Sequence, residues 1–193
     1  MDDAGPLLHA ALGFTLGLSL AGPPGPVNAL IARESGRRGW AAGIRAGIPA
    51  PIVDTAYMTI VLLGAGPFLQ HLAGRWLAAV GAALMAFLAW QIARPRDGGG
   101  KELSGPLAVW GVTLTNPFQY AWWASAGTTF LGEQGAFGVV GFLIAIFGWV
   151  FAFSWLVGKG AQKWGWFAPL LEVASADLLF AFALQMAAAA AGL

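Results

Sequence analysis

Charge is scarce in this chain and cysteine is absent. Only 10% of the 193 residues are charged and 58% are hydrophobic, whereas a typical soluble domain has about 25% charged residues. The polar side chains are too few to cover a water-facing surface, so the composition indicates an integral membrane protein. The lack of cysteine excludes disulfides and thiol chemistry. A formal net charge of +1 argues against nucleic acid as a partner.

Long stretches with few charges predict six membrane-spanning helices in one transmembrane domain over residues 1–193. A helix needs roughly 20 mainly apolar residues to cross about 30 Å of hydrocarbon. The acidic start Met1-Asp2-Asp3 favours a first span over a signal peptide, which begins with positive charge. The segments that meet the length requirement are approximately 6–32, 42–66, 76–93, 106–130, 136–158 and 167–190. The predicted fold class is therefore an all-α polytopic membrane protein.

The basic residues predict the orientation of these helices. Nine of the ten Lys and Arg residues fall between segments 1 and 2, 3 and 4, or 5 and 6, and Arg75 is the exception. Glu133, in contrast, falls between segments 4 and 5. Short basic loops stay in the cytoplasm. We therefore expect both termini on the outer side of the plasma (inner) membrane.

A charged, glycine-rich linker over residues 94–105 divides the chain into two halves of three helices each. Repeat one covers about 5–93 and repeat two about 106–193. Because three is an odd number, two such repeats must be inverted relative to each other. Inverted repeats are a recurring architecture of transporters.

Proline and glycine predict breaks inside helices 1, 2 and 4. The breaks fall at 22–28, 47–51 and 113–118. Proline lacks the N–H that the helix ladder needs, and unwound backbone persists in a bilayer only where protein or a water-lined cavity satisfies it. Interrupted spans at corresponding places in two halves point to a transporter's binding site. Candidate residues at these breaks are Gly25, Pro26, Asn28, Asn116 and Pro117.

Asp54 lies well inside the second segment, where a carboxylate is unfavourable by about 2.5–3.5 kcal/mol. Its natural roles there are to carry a proton or to bind a cationic ammonium group. Tyr57, three residues on, shares its helix face and could donate a hydrogen bond to the carboxylate. The alternative is a structural ion pair between Asp54 and Arg45.

Weaker candidates for the solute path are Gln119, Trp123 and Asp177, together with Arg45. Gln119 follows the break in helix 4, and Trp123 lies deeper than the tryptophans at predicted helix ends. Asp177 and Gln185 are eight residues apart on helix 6, so a polar stripe facing the helix bundle is expected.

Several motifs resemble the lysine exporter (LysE) family of amino-acid efflux proteins. They are Gly-Pro-Val-Asn at 25–28, Gly-Arg-Arg-Gly at 36–39, the glycine-rich stretch 43–57 with its Asp-Thr-Ala-Tyr end, and Asn-Pro at 116–117. The resemblance implies proton-driven export of amino acids or related small solutes, without a cofactor. It carries Gly25, Pro26, Asn28, Asp54, Asn116 and Pro117 over as path residues near the membrane midplane.

Two other functions stay open at this point. Metal-ion efflux is one, although soft metals prefer thiolate or imidazole ligands and neither histidine falls at a predicted helix break. A membrane enzyme or assembly factor is the other, although no nucleophile with a base is readable. A cavity bounded by 22–28, 47–54 and 115–119 would favour transport. The sequence also leaves a homodimer open.

Overall fold

A computed structural model describes residues 5–64, 75–94, 103–123, 127 and 134–191. All regular secondary structure in these ranges is helical, as the sequence predicts. We number the helices in chain order: α1 Pro6–Ala21, α2 Pro26–Arg38, α3 Trp40–Gly47, α4 Pro49–Leu62, α5 Arg75–Ala93, α6 Gly105–Thr115, α7 Pro117–Trp122, α8 Gly135–Lys163 and α9 Phe167–Ala191.

The three expected helix breaks are present. Pro26, Pro49 and Pro117 each stand at the start of a new helix, where the missing N–H costs nothing and the fixed φ suits the first turn. At the first break, α1 and α2 meet at an angle of 80°. Asn116 forms the third break in an extended conformation, with φ −82° and ψ 109°.

Two segments predicted as cytoplasmic loops are helical instead. The first continues as α2 to Arg38, and Arg33 and Glu34 are almost completely buried in it. This helix ends only where Gly39 adopts a positive φ of 87°. Lys159 lies inside α8, which runs on to Lys163. A basic residue therefore need not end a helix. The predicted linker at 95–102, Glu133 and the ends of segments 42–66 and 106–130 lie outside the described residues.

Three helices in the described ranges are individually long and apolar enough to cross a membrane, and they lie in α5, α8 and α9. The bent pair α1–α2 passes the same test when taken together. These helices have large exposed apolar side chains such as Leu7, Trp76, Leu156 and Val173, which in a soluble domain would be an aggregation liability. The protein is an integral membrane protein.

Glycines allow α1 and α8 to approach closely. A Cβ atom on Gly13 would overlap the main-chain carbonyl of Gly138, and one on Gly141 would overlap the carbonyl of Ala10. Gly17 faces Phe142 and Ala145 in the same way. Small residues at four-residue spacing are a common basis of helix association in lipid. The Gly13–Gly17 spacing seen in the sequence therefore serves packing within one chain.

We expect Gly13→Ala to destabilise the protein by about 1–3 kcal/mol, the usual cost of overpacking. The obstacle is backbone, which cannot rotate away as a side chain can. The matched control is Gly148→Ala on α8, where an added Cβ meets nothing within 4 Å. Thermal unfolding in detergent should show a lower midpoint for Gly13→Ala only. Equal midpoints for the two variants would contradict this packing.

The remaining helices form two connected cores. α5 packs along α9, and α6 contacts α2, α3, α4 and α5. One core includes Met85, Leu88, Val109 and Leu179. The other is aromatic and surrounds the α4–α7 contact with Tyr57, Tyr120, Trp122, Trp123 and Phe142. The two cores hold the three helix breaks in fixed positions around a cavity.

Candidate functional site: a cavity at the helix breaks

The three helix breaks meet at one cavity of about 120 Å³. A single water needs roughly 10–15 Å³ on this measure, so the space suits on the order of ten waters or a small organic solute. Its wall includes 23–28 from the first break, Ala50, Pro51 and Asp54 from α4, and Asn116, Phe118 and Gln119 from the third break. The cavity that favours transport is therefore present where the sequence predicts it. We call it the Asp54 cavity.

Asp54 supplies the negative charge of this cavity. Its side chain is only 5% exposed. Gln119 Nε2 and Trp123 Nε1 both donate hydrogen bonds to Asp54 Oδ1, the latter at 3.0 Å. Such bonds stabilise a buried carboxylate, because leaving it without donors costs far more. Both of these donors contact Oδ1, and neither contacts Oδ2.

Asn28 holds the first break open. Its Nδ2 donates to the carbonyl oxygens of Ala21 at 2.8 Å and Pro23 at 2.9 Å. Helix ends leave carbonyl groups without intrahelical partners, and Asn28 satisfies two of them where α1 stops. Its Oδ1 accepts a hydrogen bond from Trp149 Nε1 at 3.2 Å. The side chain thus ties the break to α8.

Asn116 organises the third break. Its Oδ1 accepts a hydrogen bond from the Phe118 N–H at 3.1 Å, so it is the N-cap of α7. On the other side of the break, the Tyr120 hydroxyl donates to the Leu114 carbonyl at 2.7 Å. These two contacts turn α7 so that Gln119 and Trp123 reach Asp54.

Sequence reasoning missed several residues of the wall. Ile146, Trp149 and Val150 from α8 and Phe182 from α9 close the cavity opposite the breaks. The hydrogen bond between Trp149 and Asn28 joins positions 121 residues apart, which spacing along one helix cannot predict. The apolar wall residues carry no local signal, because any core helix has similar ones.

The candidate residues separate into three groups: those at the cavity, those in the surrounding helices, and those that are exposed and away from the cavity. Gly25, Pro26, Asn28, Asp54, Asn116 and Gln119 line the cavity, and Trp123 reaches it through Asp54. Tyr57 is buried, but its ring packs on Tyr120 with centroids 5.2 Å apart. The possible hydrogen bond from Tyr57 to Asp54 is not formed, since the Tyr57 hydroxyl is buried without a hydrogen-bond partner in the described part of the chain. Pro117 begins α7.

Arg45 and Asp177 form the third group. Both are exposed and neither lines the cavity. The alternative in which Arg45 forms an ion pair with Asp54 is therefore wrong for this structure. Gln185 is exposed as well, so the stripe of Asp177 and Gln185 faces away from the bundle and not into it. The period of α9 places the two residues on one face but does not say which face is buried.

Charged pairs lie on α2, away from the Asp54 cavity. Arg37 Nε contacts Glu172 Oε1 of α9 at 3.1 Å, and Arg38 Nη1 contacts Glu34 Oε2 at 3.2 Å. The first pair joins α2 to α9. These residues fix the position of α2 and leave Asp54 as the charged side chain of the cavity wall.

Broken helices that enclose a cavity with a buried carboxylate are typical of membrane transporters. The sequence matches the LysE type translocator family over residues 18–190, and this chain belongs to that family. Searches of curated proteins and of solved structures gave no significant match.

Proposed function

We propose that this protein exports amino acids or related small solutes from the cytoplasm and is driven by the proton gradient. The observation that carries the proposal is the buried Asp54 carboxylate at the wall of a cavity that three broken helices enclose. A deep carboxylate is costly and in membrane proteins is by default a functional site. Membership of a translocator family supports the same conclusion.

The Asp54 cavity offers complementary groups for both ends of an amino acid. Asp54 suits the ammonium group, because opposite charges attract strongly away from water. The start of α2 suits the carboxylate. Its N-cap Gly25 has no side chain to cap the helix, so free N–H groups and the positive end of the helix dipole are offered there. Asn28 and Asn116 act as positioning residues that keep these groups in place.

Asp54 would alternate between a protonated and an ionised form as the two halves of the protein move. Proton release to one side and proton uptake from the other would then couple the gradient to transport. Gln119 and Trp123 stabilise the ionised form through their hydrogen bonds to Oδ1.

The proposal includes six spans in two inverted repeats of about 5–93 and 106–193, which together form one transporter domain. Its support is the contact pattern between helices. If the two halves are equivalent, the contact between α1 and α8 should have a counterpart between the second span (α3 and α4) and α6, and it does. The contact between α5 and α9, the last helix of each half, is its own counterpart. Both termini would lie on the outer side of the plasma membrane. A homodimer that forms through the exposed face of α9 would shield the Asp177 carboxylate from lipid.

The test is counterflow in proteoliposomes with a panel of labelled amino acids and, as a separate arm, Cd²⁺. We expect accumulation of one or a few amino acids above protein-free liposomes. If the folded and inserted protein exchanges no amino acid, the proposed substrate class is wrong. Accumulation of Cd²⁺ alone would establish metal-ion efflux in its place.

A further inference from the structure

A second cavity of about 270 Å³ adjoins the Asp54 cavity. Pro24, Gly25, Asn28 and Trp149 line both, so the hydrogen bond between Trp149 and Asn28 stands at their boundary. On α8 the second cavity extends from Trp149 to Phe153, toward the end of the helix. The two cavities are therefore adjacent, and we infer that they are successive chambers of one path.

Apolar side chains form most of the walls of this path. Leu20, Ile31, Ile146 and Phe182 line the Asp54 cavity, and Ala32, Leu171 and Leu178 line the second one. Trp149 and Phe153 stack at the boundary with their ring centroids 5.5 Å apart and their planes inclined by 11°. Among the described residues that line either chamber, Asp54 is the charged one.

The polar groups of the second chamber are already engaged in the fold. Ser175 Oγ donates to the Ala29 carbonyl at 2.9 Å. Asn28 donates to two carbonyl groups of the first break and accepts from Trp149. Among the described residues that line the two cavities, a solute that passes between them therefore meets mainly hydrocarbon and aromatic rings, and Asp54 is the charged group.

These walls discriminate between amino acids by their side chains. The α-ammonium group has Asp54 as its partner. An apolar side chain gains from contact with Trp149 and the aliphatic wall. A charged side chain would have to leave water and would find no oppositely charged partner in these walls, which is strongly unfavourable.

On the basis of the proposed transport function, we propose that the solute is a neutral amino acid with an apolar side chain, and that this side chain packs against Trp149. Amino acids with a second charged group, such as lysine and glutamate, are excluded from the path. Trp149 is thus a specificity-determining residue, because its ring fills the boundary between the chambers.

Competition against labelled leucine in counterflow tests the substrate class. Norleucine and lysine form a matched pair, because they differ in the terminal ammonium group of the side chain. We expect norleucine to compete and lysine and glutamate to compete at least about tenfold less well, the order of discrimination that an unpaired polar group gives. If lysine or glutamate is exchanged as well as norleucine, this inference is wrong and the proposed export function stands. If no amino acid is exchanged, both fail.

Variants of Trp149 test its role. Trp149→Ala should raise the uptake ratio of phenylalanine to leucine by about tenfold, because space in an apolar pocket gives discrimination of that order. Trp149→Leu should shift the ratio in the same direction by a smaller factor and keeps an apolar side chain if the alanine variant does not fold. The matched control is Trp155→Ala, a half-exposed tryptophan on the same helix that lines neither chamber. An unchanged ratio in both Trp149 variants would overturn the assignment.

Discussion

Asp54→Asn is expected to abolish proton-driven transport. The change keeps the shape of the side chain and removes the charge and the titratable group. A hydrogen bond to a charged group is worth about 1.5–3 kcal/mol, so solute affinity should fall by about 10- to 100-fold. A pH gradient should no longer increase uptake, because asparagine cannot carry a proton. Uptake by proteoliposomes with and without a pH gradient measures both effects.

Glu172→Gln is the control for this variant. It is the same change from acid to amide, at a half-exposed ion pair with Arg37 outside the Asp54 cavity. Its uptake should keep the gradient dependence of the wild type. If Asp54→Asn still transports at a normal, gradient-driven rate, Asp54 is not the proton carrier. If gradient-driven uptake is lost and exchange at equal pH is retained, Asp54 carries the proton and contributes little to solute binding.

Asn28→Ala is expected to have the second largest effect, on stability as well as on transport. The variant leaves the carbonyl groups of Ala21 and Pro23 and the N–H of Trp149 without the partner they have now. Loss of a partner costs a fully buried group about 1–3 kcal/mol, and water offsets part of this here because the three contacts are part-buried or exposed. We therefore expect a lower unfolding midpoint in detergent and at least a tenfold loss of transport, since about 1.4 kcal/mol corresponds to tenfold.

Thr15→Val serves as the comparison for Asn28→Ala. It removes one hydrogen bond from a side chain to the main chain of α1, at an exposed position outside the break. Its midpoint and transport should stay close to those of the wild type. Equal behaviour of the two variants would show that Asn28 does not hold the break.

The sequence predicts the breaks because proline chemistry is local. Pro26, Pro49 and Pro117 start new helices whatever surrounds them. The length of α2 could not be foreseen, because its end depends on the conformation of Gly39. Charge was also misleading there: Arg33 and Glu34 were expected in a loop and are buried, which their identity alone does not reveal.

The partners of Asp54 depend on tertiary structure. Tyr57 is close to Asp54 in sequence and was expected as its donor, but Trp123, 69 residues away, donates instead. Which side chain donates to Asp54 depends on the direction that α7 takes after Asn116. Helix periodicity in the sequence does not predict that direction. Trp149 and Phe182 join the wall for the same reason. Spacing along one helix gives a shared face, and only the packing of all helices says what that face contacts.

Substituted-cysteine labelling tests most directly whether the Asp54 cavity is the solute path. The natural chain has no cysteine, so single variants need no background changes. Ala50 and Ala82 belong to the same core and are equally buried, at 8% exposure. Ala50→Cys lies in the cavity wall, whereas Ala82→Cys does not. We predict that a membrane-impermeant thiol reagent modifies Ala50→Cys and not Ala82→Cys, and that leucine slows the reaction. Equal labelling of the two variants, or labelling of Ala50→Cys that no transported amino acid slows, would contradict the account.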